Sequence, residues 1–95
     1  MEPVVRWRCI AVGRVQGVNY RARVTDSARR HGLVGSVSNR RDGTVLIDVQ
    51  GPRGKVEAFL CDVKGPRGAS YATSVEHVAS APVSAALLGF DILRD

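Results

Sequence analysis

Apolar residues change period from two to about three and a half and back along the chain, in the order strand, helix, strand, strand, helix, strand, with a short apolar segment at the end. Two glycine-rich junctions and an Asp-Gly turn separate these segments. That order predicts an α+β fold, a ferredoxin-like βαββαβ sandwich. An antiparallel sheet carries both helices on one face, and a short extra C-terminal strand is added. With 95 residues the chain, 1–95, is expected to form a single domain that removes roughly two thirds of its surface from water.

The first strand is read over Val4 to Val12. Val5, Trp7, Cys9 and Ala11 alternate with Arg6, Arg8 and Ile10, as a half-buried strand requires, and a central position is expected. A helix follows from about Arg21 to His31. Val24 and Ala28, with Ala22 or Arg21 above them, form its apolar face, and Arg23, Arg29 and Arg30 are assigned to water. Gly32 suits the left-handed residue after a helix end, and His31 suits the negative end of the helix dipole. Leu33 to Asn39 and Thr44 to Gly51 are the second and third strands, joined through Arg40-Arg41-Asp42-Gly43. Asn39 therefore stands at the mouth of a hairpin.

Gly51-Pro52-Arg53-Gly54 breaks the third strand, and Val56, Phe59, Leu60 and Val63 recur at the spacing of a helical stripe that Gly65-Pro66 ends. Tyr71 to Val78 reads as a fourth strand with little contrast between its faces: Thr73, Val75 and His77 on one, Ala72, Ser74, Glu76 and Val78 on the other. Ala79 to Leu88 is expected to be a loop that packs by its leucines, and Phe90 and Ile92 mark the last strand.

The net charge of +5 arises from 14 basic and 9 acidic residues, and twelve of the basic ones are arginine. Such a surface attracts anions without specifying which. RNA readers of this architecture carry stacking aromatics on the first and third strands. Here the third has none and the first only Trp7, so nucleic acid is not the expected partner. The longest apolar runs are too short to span a bilayer and no leader pattern opens the chain, which predicts a cytoplasmic protein with no membrane partner. Cys9 and Cys61 lack metal or redox spacing and are read as ordinary thiols. His77 is read as a surface strand residue and not as a ligand, so no metal or cofactor is expected. A monomer is the default.

Between the first strand and the first helix lies Gly13-Arg14-Val15-Gln16-Gly17-Val18-Asn19-Tyr20-Arg21. Gly13 and Gly17 let successive N–H groups turn inward around an anion, and the positive end of the next helix points the same way. Arg21 adds a permanently charged fork that matches two phosphate oxygens. The nonamer resembles the signature loop of acylphosphatases, and Gly35-Ser36-Val37-Ser38-Asn39-Arg40-Arg41-Asp42-Gly43-Thr44-Val45 resembles that family's second motif. The resemblance runs on through Gln50-Gly51-Pro52 to Phe90-Asp91-Ile92, nearly the whole chain, and implies the same fold.

It further implies hydrolysis of an acyl phosphate to a carboxylate and inorganic phosphate, with Arg21 and Asn39 as the catalytic pair. The phosphate would rest on Arg21 and on the N–H groups of Val15, Gln16, Gly17, Val18, Asn19 and Tyr20. Asn39 would orient the attacking water, since an amide has no useful pKa but can accept one hydrogen bond and donate another. No carboxylate or histidine is expected to act as a base. A small-molecule acyl phosphate is thus the expected partner; a binding module without turnover is the alternative. The chain departs from the family pattern at Asn19, Tyr20 and Ser36: Asn19 is expected to add a polar group at the loop rim, and Ser36 to loosen the position of Asn39. Arg14, Arg40 and Arg41 flank the site.

Overall fold

The computed structural model describes residues 2–94. Its elements are β1 (Val4–Arg14), α1 (Tyr20–Arg30), β2 (Val34–Asn39), β3 (Val45–Pro52), α2 (Arg53–Asp62), β4 (Gly65–Arg67), β5 (Ser70–Ser80) and β6 (Phe90–Leu93). They form one sheet in the order β4-β5-β1-β3-β2-β6. As expected, β1 and β3 are central, paired antiparallel from Val4↔Pro52 to Ala11↔Val45.

Cys9, Ala11, Val37, Val45, Ile47 and Val49 alternate onto one face of the sheet. There they are fully buried under Val24 and Ala28 of α1 and Val56, Phe59 and Val63 beside α2. Both helices therefore cover the same face, and the ferredoxin-like α+β architecture is the observed one. The opposite face carries polar pairs. Arg6 forks onto Asp48, Nε to Oδ1 at 3.0 Å and Nη2 to Oδ2 at 2.9 Å, and Arg8 Nε stands 3.6 Å from the same carboxylate.

Four expectations need correction. The sheet is mixed, because β6 runs parallel to β2, Gly35↔Phe90 to Ser38↔Leu93. A long connection from β5 lets the chain enter the far edge in that direction; Gly35 N–H donates to Gly89 O at 2.8 Å. That connection does not reach the core by its leucines, since Leu88 is 90% exposed and the half-buried Leu87 is not among the residues packed against the core. It is held instead by Gln50, whose side chain donates to Ser84 O at 3.0 Å and accepts from Ser84 N–H at 2.7 Å.

The third correction concerns β5, which extends to Ser80 and folds back on the three-residue β4, an element too short to carry a period. Its register against β1 shifts between Arg8 and Cys9 and between Val12 and Gly13, leaving Val78 and Thr73 as extra residues. Each bulge reverses the alternation, which explains the poor contrast between faces in the sequence.

The fourth concerns α1, which begins at Tyr20. Tyr20, not Ala22 or Arg21, joins Val24 and Ala28 in the core, together with the polar Thr25 and Ser27. Ser27 Oγ donates to Asp62 Oδ2, and Thr25 Oγ1 to Arg21 O at 2.8 Å. Arg23 does not face water but reaches α2. His31 does cap the helix, with Nδ1 2.7 Å from Ser27 O, and Gly32 takes φ 69° after it.

Two predictions follow from the sheet. Gly35 has φ 140°, and a Cβ there would fall 1.8 Å from Asp48 O. Gly35→Ala is expected to cost on the order of 3 kcal/mol through backbone strain and strand separation, read as a loss of Tm. The Arg6 guanidinium holds the Asp48 carboxyl below its ordinary 3.8. A carboxylate depressed in the folded state stabilises above its unfolded pKa and loses that contribution as pH falls through the folded value. Asp48→Asn is therefore expected to cost about 1 kcal/mol at pH 7, with the gap from the parent closing below about pH 4 in a thermal series.

Candidate active site

Three segments meet at one end of the sheet: the loop from β1 to α1, the end of β2 with its turn, and the end of β6. The loop is shaped by its backbone. Gly13 takes φ 130° where a Cβ would lie 2.3 Å from Tyr71 O, so only glycine lets β1 run this close to β5. Gly17 at φ 72° and Asn19 at φ 62° are both left-handed. Among non-glycine residues asparagine tolerates that conformation best. Asn19 is thus explained by the turn it makes as the residue preceding α1; the glycine-to-asparagine spacing was the signal for it in the sequence.

Val15 and Tyr20 are each 1% exposed and Val18 packs against the same core, so the side chains of the loop point inward and its amides are left outside. Asn19 makes no side-chain cap to α1. Among the described residues, no N–H from residue 16 to residue 22 meets a protein acceptor. These unpaired donors and the positive end of α1 coincide. What Val15, Val18 and Tyr20 can offer an anion is accordingly backbone only. Burial pushes the Tyr20 phenol well above its ordinary range, and its hydroxyl donates to Val63 O at 3.0 Å. It is an anchor and not a proton donor to a ligand.

Gln16 differs from its neighbours, for its side chain reaches the β2–β3 turn. Nε2 donates to Arg40 O and to Thr44 O, both at 2.7 Å, which ties the loop to the hairpin that carries Asn39. Sequence reasoning assigned Gln16 only an amide, and nothing in its local pattern revealed this long-range bond. The turn itself is closed by Arg40 N–H to Thr44 O at 2.9 Å and by Gly43 at φ 90°.

Two cavities open here. One, about 320 Å³, is lined by Val15, Gly17, Asn19, Tyr20, Arg21 and Ala22 of the loop and helix and by Ile92 and Arg94 at the end of β6. The other, about 640 Å³, is lined by Gln16, Asn39, Arg40, Arg41 and Asp42. Gln16 lines one and its neighbours Val15 and Gly17 line the other, so the loop stands between them. Arg21 and Asn39 are brought to the same end of the sheet but do not line one cavity. Arg21 Nη1 lies 3.5 Å from Leu93 O, and Leu93 pairs with Ser38, the residue before Asn39. The lining role of β6 was not legible in the sequence, because it depends on the parallel pairing.

Asn39 ends β2, and its Oδ1 is buried without a hydrogen-bond partner among the described residues. Buried polar atoms are nearly always paired, so an unpaired acceptor at a cavity wall marks a place for a donor. Ser36 lies an odd number of residues away in the same strand and faces the other side of the sheet, so it does not pack beneath Asn39. The carboxylate near Asn39 is Asp42, which accepts from Thr44 N–H at 3.0 Å and from Thr44 Oγ1. Those bonds hold its carboxyl below the usual range, so it stays ionised and is a poor base.

Charge is arranged unevenly. Arg6, Arg8, Arg30 and Arg53 have carboxylate partners, whereas Arg14, Arg21, Arg40 and Arg41 have none among the described residues. These last four belong to or flank the loop and the β2–β3 turn, whereas Arg23 and Arg29, which also lack a carboxylate, bond to backbone carbonyls elsewhere. Elsewhere, Cys9 is buried and its thiol is pushed up to about 12, and His77 is exposed and stacks on Trp7 at 4.3 Å. Among the described residues no group of three His, Cys, Asp or Glu side chains could hold a metal ion, and no helix is long and apolar enough to cross a membrane.

Known proteins resemble this chain in sequence and in fold. The acylphosphatase family model matches residues 7–92. An acylphosphatase of Azoarcus sp. is 46% identical over 81 residues, 85% of this chain and 81% of its own. One of Cupriavidus metallidurans is 42% identical over 76 residues, 80% of each chain. The crystal structure of acylphosphatase from Bacillus subtilis superposes with a TM-score of 0.81 at 34% identity, covering 94% of this chain and 98% of that one. Matched along nearly its whole length in sequence and in fold, the chain belongs to the acylphosphatase family.

Proposed function

We propose that this acylphosphatase hydrolyses the carboxyl-phosphate bond of small acyl phosphates, with Arg21 and Asn39 as the residues that act on the substrate. The observation that carries the reading is the pairing of opposites at one end of the sheet. Among the described residues, a row of N–H donors with no acceptor at the start of α1 stands at the same end of the sheet as a buried Asn39 Oδ1 with no donor. A phosphate dianion supplies acceptors for the first, and a water molecule supplies a donor for the second.

In this reading the phosphate rests on the N–H groups of residues 15 to 20 with the Arg21 fork across two of its oxygens. The charge of the phosphate is neutralised by dipoles and a guanidinium that are already in place, so little reorganisation accompanies the reaction. Asn39 Oδ1 accepts a hydrogen bond from the water and holds its oxygen in line with the bond to be broken. The water oxygen bonds to phosphorus as the phosphorus–acyl oxygen bond breaks. The bond pair leaves with the carboxylate, a stable leaving group that needs no proton. The proton of the water passes to a phosphate oxygen or to bulk solvent, since Asn39 cannot take it and Asp42 is a weak base. Positioning and electrostatics thus supply the catalysis, as in phosphoryl transfer generally.

The two roles separate experimentally. With benzoyl phosphate as substrate, Arg21→Gln is expected to lower kcat/KM on the order of a hundred-fold or more and to abolish the rise in Tm that inorganic phosphate gives the parent. Asn39→Ala is expected to lower kcat to a similar degree, about a hundred-fold, while keeping most of that phosphate-induced rise. Thermal protection lost in both variants, or in neither, would contradict the assignment. Arg14, Arg40 and Arg41 act at longer range on the encounter. The double variant Arg40→Gln, Arg41→Gln should lower kcat/KM several-fold at low ionic strength, with the difference narrowing at about 0.5 M salt. A salt-independent loss would argue against steering.

A further inference from the structure

The side chain of Arg23 is not accounted for by the chemistry above. It stands two residues beyond Arg21 in the first turns of α1, is half-buried, and spends its guanidinium on the far helix. Nη2 donates to Asp62 O and to Lys64 O, both at 3.0 Å, and Nη1 donates to Gly65 O at 2.8 Å and to Ser70 Oγ at 3.2 Å. The one carbonyl of this run that Arg23 omits, Val63 O, accepts from Tyr20 Oη at 3.0 Å. The guanidinium carbon lies 5.7 Å from the centre of the Tyr20 ring.

Asp62 to Gly65 are the last carbonyls of α2 and the residues just after it. These groups have no partner inside their own helix, and they carry its negative dipole end. The last turn of α2 holds no basic residue to meet them. The cation that meets them comes from α1 instead, from residues i and i+3 of a single helical face. Arg21 lies between Tyr20 and Arg23 and points elsewhere, towards Leu93 O. The azimuth of α1 that brings Tyr20 and Arg23 onto α2 is therefore the same azimuth that aims Arg21 and the loop amides at the cavity.

A helix turn of 100° per residue leaves little freedom in this arrangement. A rotation of α1 that freed Tyr20 and Arg23 from α2 would also swing Arg21 and the first-turn N–H groups. Burial of Arg23 Nε with no partner among the described residues shows that the clamp is kept although one donor is left over. The contact through Ser70 and Gly65 extends the clamp to the β4–β5 hairpin.

We infer that Arg23, with Tyr20, is a positioning residue for the reaction. By seating four donated hydrogen bonds on the C-terminal end of α2 and the following hairpin, it fixes the rotation of α1 and so the aim of Arg21 and of the loop amides at the phosphate. This rests on the assignment of Arg21 as the phosphate ligand. The requirement is for a fork and not for a charge, since a lysine ammonium cannot reach acceptors spread over Asp62, Lys64, Gly65 and Ser70.

The test compares Arg23→Gln, Arg23→Lys and the control Val56→Ala, a core truncation in the first turn of α2 at the other end of that helix. For each, the competitive inhibition constant of inorganic phosphate and kcat for benzoyl phosphate are measured at a temperature where circular dichroism shows the fold intact. Misaimed ligands should cost about ten-fold in phosphate affinity and at least as much in kcat for both Arg23 variants. Val56→Ala should lose Tm with both constants within about two-fold of the parent. Arg23 variants that lose Tm but keep parental constants would overturn the inference, as would an Arg23→Lys variant equal to the parent, which would mean that charge alone matters. A parent that phosphate does not inhibit would instead overturn the assignment of Arg21 on which the inference rests. Should Arg23→Gln fail to fold, Arg23→Lys alone decides between these outcomes.

Discussion

The structure is organised around a helix that begins without a cap. Among the described residues the N–H groups at the start of α1 find no partner, and the residue before the helix, Asn19, makes no side-chain cap and has its backbone in the left-handed region. A helix start of this kind is unfavourable unless solvent or an anion meets it. Proteins usually close it with a serine, threonine or aspartate side chain. Here the chain does the opposite. It buries Val15 and Tyr20 so that the amides are turned outward, and it places Arg21 among them.

Keeping such a loop in shape falls to contacts that are distant in sequence. Gln16 ties it to the β2–β3 turn, Tyr20 and Arg23 tie the helix to the end of α2, and Gly13 lets β1 press against β5 just before the loop departs. Each contact comes from a residue whose neighbour belongs to the site. Rigidity at the loop is thus obtained without using its own unpaired N–H groups. The same economy governs charge. Arg6 and Arg8 on the helix-free face and Arg30 and Arg53 on the helices have carboxylates beside them, Arg23 and Arg29 spend their guanidinium groups on carbonyls, and Arg14, Arg21, Arg40 and Arg41 at the loop end have no carboxylate among the described residues.

Local chemistry explains why so much of this was legible from residues alone. The alternation of Val45, Ile47 and Val49, the stripe of Val56, Phe59 and Val63, the Asp42-Gly43 turn and the glycine after α1 each express a rule that acts over a few residues, and each was found in place. Where a rule was interrupted the reading weakened. In β5 two bulges reverse the faces, and the following connection, rich in small apolar residues, is held by Gln50 and not by its leucines. Arg23 on the face of a helix looks like a solvated cation until α2 is laid beside it.

Sequence by itself determined the family, the order of the two helices and the longer strands, and the central place of β1. These depend on period, on turn chemistry and on two short motifs. Tertiary structure alone decided three further matters. It set β6 parallel beside β2, so that Ile92 and Arg94 reach the loop cavity. It left Asn39 Oδ1 buried and, among the described residues, unpaired, while Asp42, three residues on, is held ionised by Thr44. And it turned Arg23 from the solvent onto the end of α2. The reason is common to all three. Hydrogen bonding of a side chain depends on which backbone groups are left without partners nearby, and that is settled only when elements far apart in the chain have packed.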